Sequence, residues 1–209
     1  MTTFYIIRHG ETDYNKNGRF QGQLDIPLND DGRRQAGMIA ARMAAVKLDM
    51  IYASDLMRAE ETARIIARGQ AVTLEPRLRE IHVGQFMGMS RAEVERDMPE
   101  AWAEVRQERD DVPFPGGESA AQVQLRAMAA LADMADRYPS GNVAVVTHGG
   151  VIKTIVAGIF GAGDGFRSKI VLDNCSLTMV EWGARGRRCR SLNDTGHLVE
   201  APCEVRADF

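Results

Sequence analysis

The chain of 209 residues is poor in several things. It has only three cysteines, Cys175, Cys189 and Cys203, and none are in C-x-x-C spacing. That excludes a disulfide framework and suits a reducing compartment. No apolar stretch is long enough to span a bilayer. MTTFYIIRHG lacks a basic segment ahead of a long apolar run, so it does not read as a signal peptide. The expectation is a cytoplasmic protein. The formal net charge is only −3, so no global field draws the chain to nucleic acid or to a membrane surface. Histidine is scarce as well, with four in the chain.

What is present reads as an ordinary globular protein, 44% apolar and 26% charged, long enough for one sizeable core. TFYIIR, 3–8, is a short β-rich run. Residues 10–29, rich in Gly, Asn and Asp, predict a long loop. An Ala-rich helix follows over 30–46, then a strand at 49–54 and a helix over 55–69. AVTLEP predicts a third strand, ended by Pro76. Residues 90–108 are polar and helical, with Pro99 breaking the helix or starting a second piece. Another amphipathic helix covers 119–138, the strongest strand is NVAVVTHGG, 142–150, and VIKTIVAGIFG is a short apolar helix. SLTMVEW and RRCRSLN, joined by GARG, predict a closing hairpin. Strands alternating with helices imply an α/β fold with a largely parallel sheet. No internal repeat interrupts the pattern. The reading is one domain, 1–209, with 86–118 as a flap over the site. ARGRRCR, 184–190, reads as a solvated hairpin turn.

Two of the scarce histidines repeat one pattern. FYIIRHG and VAVVTHGG each place His-Gly at the carboxyl end of an apolar strand. Open α/β sheets bind ligands beyond those ends, so parallel neighbours would set His9 and His148 side by side. Gly10 and Gly149-Gly150 would let backbone N–H groups approach a ligand. Arg8 adjoins His9, and Arg58 follows the strand MIYAS at the start of a helix. Two guanidinium groups converging on two imidazoles suit a multiply charged oxyanion. A metal fits poorly. His9-x-Glu11 has no P-C-x-x-C partner, no H-E-x-x-H or EF-hand loop occurs, and Arg8 would repel a cation. No cofactor is expected.

The motifs RHGETDYNKNGRFQGQLDIPLNDDG, SDLMRAEETA, LREIHVGQFMG, PGGES, VVTHGG and NCSLT occur in that order. Together they resemble the histidine phosphatase superfamily, in its phosphoglycerate-mutase-like branch, from residue 4 to about 182. The resemblance implies a three-layer α/β/α sandwich around a mostly parallel, mixed central sheet, and a metal-independent phosphohistidine mechanism. It implies His9 as nucleophile and Arg8, Arg58 and His148 as holders of the phosphoryl oxygens. It implies Glu80 as proton donor, and substrate contacts from Asn15, Gln21 and Gly22, beside Gly149.

Elementary chemistry supports the same roles. Phosphoryl transfer asks mainly for in-line positioning and charge stabilisation. Arg8, Arg58 and a protonated His148 would supply the positive field. The cations around His9 disfavour imidazolium there, which leaves the nucleophile neutral. A backbone carbonyl on its other nitrogen would fix the tautomer. Glu80 must carry a proton when the ester bond breaks and act as base when water attacks. His82, two residues on, would share the face of Glu80 in a strand and could tune it. His197 reads as incidental.

The expected activity is hydrolysis of a small phosphorylated metabolite. A phosphomutase is the alternative, and a non-catalytic phospho-ligand binder a third reading. The stretch 86–118 bears on the choice. Glu93, Glu95, Asp97, Glu100, Glu104, Glu108, Asp110 and Asp111 outnumber its arginines, whereas cofactor-dependent mutases carry a longer arginine-rich insertion there. Phe86-Met87 stands where many relatives have Trp-Glu. A homodimer paired through the edge of SLTMVEW is a further expectation.

Overall fold

The computed structural model describes residues 1–198. Cys203 lies outside the described residues. Six strands form one sheet: β1 (Thr2–Arg8), β2 (Met50–Ala53), β3 (Val72–Leu74), β4 (Asn142–Thr147), β5 (Leu177–Gly183) and β6 (Gly186–Asp194). Their spatial order is β3-β2-β4-β1-β5-β6. The pairs β3/β2, β2/β4 and β4/β1 are parallel, and β1/β5 and β5/β6 are antiparallel. The sheet is therefore mixed and mostly parallel, as expected.

The three layers follow from alternation along the two central strands. Phe4, Ile6, Val143 and Val145 face one core, shared with α6 (Ala120–Arg137) and α7 (Gly149–Phe160). Ile7, Ala144 and Val146 face the other, shared with α2 (Asp30–Met43) and α3 (Met57–Ala67). Period-two side chains on doubly covered strands give continuous apolar runs. Alanines on the covering faces, such as Ala36, Ala40, Ala59 and Ala63, let the helices approach closely.

Gly10 and Gly32 mark one close approach. A Cβ at Gly10 would lie 2.5 Å from Gly32 O, and one at Gly32 would overlap the backbone of Glu11. The start of α2 thus rests on the turn that follows β1. Asn29 caps that helix, its Oδ1 accepting from Gly32 N at 2.8 Å.

Three expectations need correction. The stretch 10–29 is not all loop. Thr12 and Asn15 form a capping box, which closes a one-turn helix, α1 (Asp13–Lys16). Residues 79–83 are not a strand, so His82 and Glu80 share no strand face. SLTMVEW offers no edge, because β5 is paired on both sides, to β1 and to β6. The exposed edge is β6, carrying Arg187, Arg188 and Arg190. Charged edges of this kind resist pairing.

The polar stretch 90–108 is two short helices, α4 (Arg91–Asp97) and α5 (Pro99–Val105), with Pro99 opening the second. Their apolar sides join Val83, Phe86, Phe20 and Phe114 in a third cluster, separate from the two sheet cores.

Candidate active site

β1 and β4 run parallel in register, with Arg8 opposite Thr147. The residue after each strand is a histidine. The two rings lie 5.1 Å apart between centroids, at the sheet's carboxyl edge. Arg58, in the first turn of α3, comes in from β2, the neighbour of β4. Arg8, His9, Asn15, Gln21, Gly22, Arg58, Glu80 and Gly149 all border one cavity of about 430 Å³. His148 is fully buried directly against His9.

The tautomer of His9 is settled by its partners. Nδ1 lies 2.7 Å from Gly10 O, which can only accept, so Nδ1 carries the proton. Nε2 accepts from Arg58 Nε at 3.3 Å, so its lone pair is available. Burial first, and then the charges of Arg58 and Arg8, hold the imidazole well below the usual histidine range. A neutral ring with a lone pair on Nε2 is a nucleophile.

Arg58 is itself fully buried. Its terminal nitrogens donate to Leu24 O and Gly22 O, each at 2.8 Å. Burial pushes it down to about 10, so it stays cationic at neutral pH. Gly22 therefore enters the site through its carbonyl, which aims the guanidinium. Arg8 donates from one terminal nitrogen to Leu172 O at 2.5 Å, while its Nε is buried and unpartnered.

His148 departs from expectation. Its Nε2 lies 2.9 Å from Ser54 Oγ, and its buried Nδ1 has no partner among the described residues. Burial, with Arg58 next in effect, pushes it well below the usual range. Burial, reinforced by the nearby cations, thus favours the neutral ring over the protonated one. When Ser54 Oγ donates to Nε2, Nδ1 bears a proton and can bind an oxyanion without being charged.

Glu80 Oε1 accepts from Ile81 N at 2.8 Å and Oε2 from Gly150 N at 3.1 Å, in the first turn of α7. A Cβ at Gly150 would overlap Glu80 Oε1, so only glycine lets the carboxylate dock there. The backbone of Glu80 is clamped too. Its carbonyl accepts from Gln23 Nε2 at 3.0 Å and Arg126 at 3.1 Å. Glu118 holds Arg126 and accepts from His82 N at 2.9 Å. His82 belongs to this clamp through its backbone, and its side chain accepts from Gly84 N at 3.2 Å. Its side chain does not border the cavity.

Asn15 and Gln21 meet through Thr12, whose Oγ1 lies 3.0 Å from each side-chain oxygen. Asn174 donates to His9 O at 3.0 Å and reaches Asn15 Oδ1 at 3.4 Å. Ser54, Gln23, Arg126, Asn174 and Lys153 were not picked out from sequence. Gln23, Ser54, Glu118 and Asn174 lie inside the quoted motifs, the one signal that pointed to them, whereas Arg126 and Lys153 lie outside all of them. His197, read as incidental, clips the end of the described chain. It contacts Cys175 O at 2.9 Å and Arg42 at 3.2 Å.

The acidic residues of 86–118 are largely spent on one another's arginines. Glu93 pairs with Arg19, Glu95 with Arg91, Asp97 with Arg96, Asp110 with Arg167 and Asp111 with Arg109. Phe86 does not border the cavity. It is fully buried beneath Phe20 and Phe114, ring centroids 5.8 and 5.7 Å away, and these two do border it.

A neutral imidazole nucleophile between two fixed guanidinium groups, at the carboxyl edge of a parallel pair, defines a phosphoryl-transfer enzyme. The chain belongs to the histidine phosphatase superfamily, branch 1, whose profile matches residues 4–195. It is 36% identical to the metal-independent phosphoserine phosphatase of Arabidopsis thaliana, over 95% of this chain and 84% of that protein. It is 34% identical to the probable phosphoglycerate mutase GpmB of Enterobacter sp. strain 638, over 97% of each. Among solved structures it resembles a histidine-to-alanine mutant of the phosphoserine phosphatase of Entamoeba histolytica, determined with phosphoserine. There the TM-score is 0.88 at 30% identity, covering 95% of this chain and all of that one.

Proposed function

We propose that the chain is a phosphomonoesterase that hydrolyses a small phosphorylated metabolite through a phosphohistidine on His9. The observation that carries this reading is a pair of buried nitrogens, Arg8 Nε and His148 Nδ1, that find no partner among the described residues, on the two residues that flank His9 in the chain and across the sheet edge. Burying a polar group unpaired costs about 1–3 kcal/mol. A phosphoryl group would take both, with Arg58 as a third donor.

His9 Nε2 attacks phosphorus as the ester P–O bond breaks. Arg58 Nε turns from the ring nitrogen to a phosphoryl oxygen. Glu80 gives its proton to the leaving alkoxide. Water then attacks phosphorus, forming a P–O bond as the P–N bond breaks; Glu80 takes a proton from the water, and His9 Nε2 recovers its lone pair. Asn15, Gln21, Gly22 and Gly149 line the approach. Residues 86–118 act as the flap of one domain, setting the walls that meet the leaving group. Sparse, unbridged cysteines support a cytoplasmic setting.

Rapid quench with labelled substrate tests the reading. An acid-labile, base-stable adduct on His9 is expected. Normal turnover by His9→Ala would overturn it. A mutase reading draws on relatives such as GpmB. It would show as phosphoryl transfer to an added phosphoglycerate in preference to water.

A further inference from the structure

Lys153 lies on α7 one turn beyond Gly149 and Gly150, the two glycines that back onto Arg8 and Glu80. Side chains at i+3 and i+4 share a helix face and lean toward the helix N-terminus, so Lys153 leans over both. It is half-buried. It borders the phosphoryl cavity and also an adjoining hollow of about 260 Å³. Phe20, Ile81 and Phe114 are walls common to both, so the two spaces adjoin at Lys153.

Lys153 is the one cation that borders both spaces; Arg106 and Arg109 border only the outer hollow, Arg109 paired with Asp111. Arg58 and Arg8 serve the phosphoryl end, Arg19 pairs with Glu93, and Arg167 with Asp110. Lys153 makes no hydrogen bond or ion pair among the described residues, and burial pulls its ammonium below the ordinary lysine range. A half-desolvated cation without an anion is costly unless a ligand supplies one.

We propose that Lys153 is a specificity residue, binding a carboxylate on the leaving group of the substrate. This rests on the phosphatase reading and names its substrate class: small phosphomonoesters with a carboxylate a few atoms from the ester oxygen. A carboxylate fits better than a second phosphate. The phosphoryl end uses two guanidinium groups and an imidazole, whereas the junction of the two spaces has one ammonium, a point charge without a fork. Glu108 also borders the hollow and would repel a dianion more than a monoanion. The aromatic and aliphatic walls between the two ends suit a short carbon skeleton.

The matched probes are 3-phosphoglycerate and glycerol 3-phosphate, which differ at one end, carboxylate against hydroxymethyl. The wild type should favour the carboxylate in kcat/KM. Lys153→Met keeps the aliphatic stem, and should reduce that preference by roughly 10- to 100-fold, mostly through KM. Lys153→Arg should retain most of it. A wild type without preference, or a preference that Lys153→Met leaves intact, would overturn the proposal. Calorimetry on His9→Ala, with and without Lys153→Met, reads binding of the same two esters where no turnover occurs. The same loss of preference is expected, and its absence would overturn the proposal. Failure of the wild type to hydrolyse p-nitrophenyl phosphate would sink the phosphatase reading separately, with the binding comparison still deciding the role of Lys153.

Discussion

The two ends of the cavity are built differently. The end proposed to hold the phosphoryl group hangs on the sheet. Arg8 ends β1, His9 and His148 follow β1 and β4, and His9 and His148 are held by hydrogen bonds to their surroundings. The leaving-group end hangs on loops and two short helices. Its walls, Phe20 and Phe114, rest on a small satellite cluster around Phe86, tied down by exposed ion pairs. Such pairs contribute little each. The contrast separates chemistry from choice. A rigid sheet edge fixes charges to the accuracy that transfer requires, while a lightly anchored wall can change shape without disturbing them.

Substitutions at the two ends should therefore behave differently. The largest effect is expected for His9→Ala, a loss of about four orders of magnitude or more in turnover for every phosphomonoester. Arg58→Ala comes next, slowing an alkyl phosphate and p-nitrophenyl phosphate by similar factors, about 10²–10³-fold, because it acts on oxygens common to both. Glu80→Gln sharpens the comparison, since its residue lies where the two ends meet. In single-turnover phosphorylation it should cost an alkyl phosphate about 10²–10⁴-fold and p-nitrophenyl phosphate much less, as p-nitrophenolate leaves without a proton. Equal losses would mean that Glu80 is not the acid.

Phe86→Ala probes the other end. Removing a buried ring typically costs about 3–5 kcal/mol. Here the cost should stay local: amide exchange should quicken over residues 84–106 while β1 and β4 remain protected, and only kcat/KM for larger leaving groups should fall, severalfold. Loss of protection across the whole sheet would break the comparison, by showing one cooperative unit.

The smallest effect is on stability against pH. His9 and His148 are held neutral in the fold, below their unfolded value near 6.5. The unfolded chain takes up protons there first, so stability is full above about pH 6.5 and declines as the pH falls toward the folded values. Thermal unfolding between pH 7.5 and 5 should show this decline, and His148→Asn should flatten it.

Much of this was legible beforehand, for particular reasons. β1 and β4 are continuous apolar runs that end in His-Gly, and both the strands and their meeting could be read from that. Pro99 marked the division of α4 from α5. The neutral state of His148 was not legible, because it depends first on how deeply that ring is itself buried and then on the closeness of Arg58, properties of packing. The clamp on Glu80 by Arg126, Glu118 and Gln23 was hidden for a related reason. It joins residues more than a hundred positions apart, and charged side chains in a polar loop and an amphipathic helix look solvated in one dimension. Only in a strand would the side chain of His82 have shared a face with Glu80; residues 79–83 form none, and His82 contributes a backbone N–H instead.

The contact between Gly10 and Gly32 bears on how variation in this chain should be interpreted. Neither glycine carries a reactive group, and Gly32 does not border the cavity. Yet each leaves no space for a methyl, because the backbone of one stretch lies against the backbone of the other. Position 32 would therefore be as intolerant of replacement as His9. In a saturation library, or among descendants of this gene, such silence would look like catalysis. It would instead be a record of two segments of main chain brought too close for any side chain to come between them.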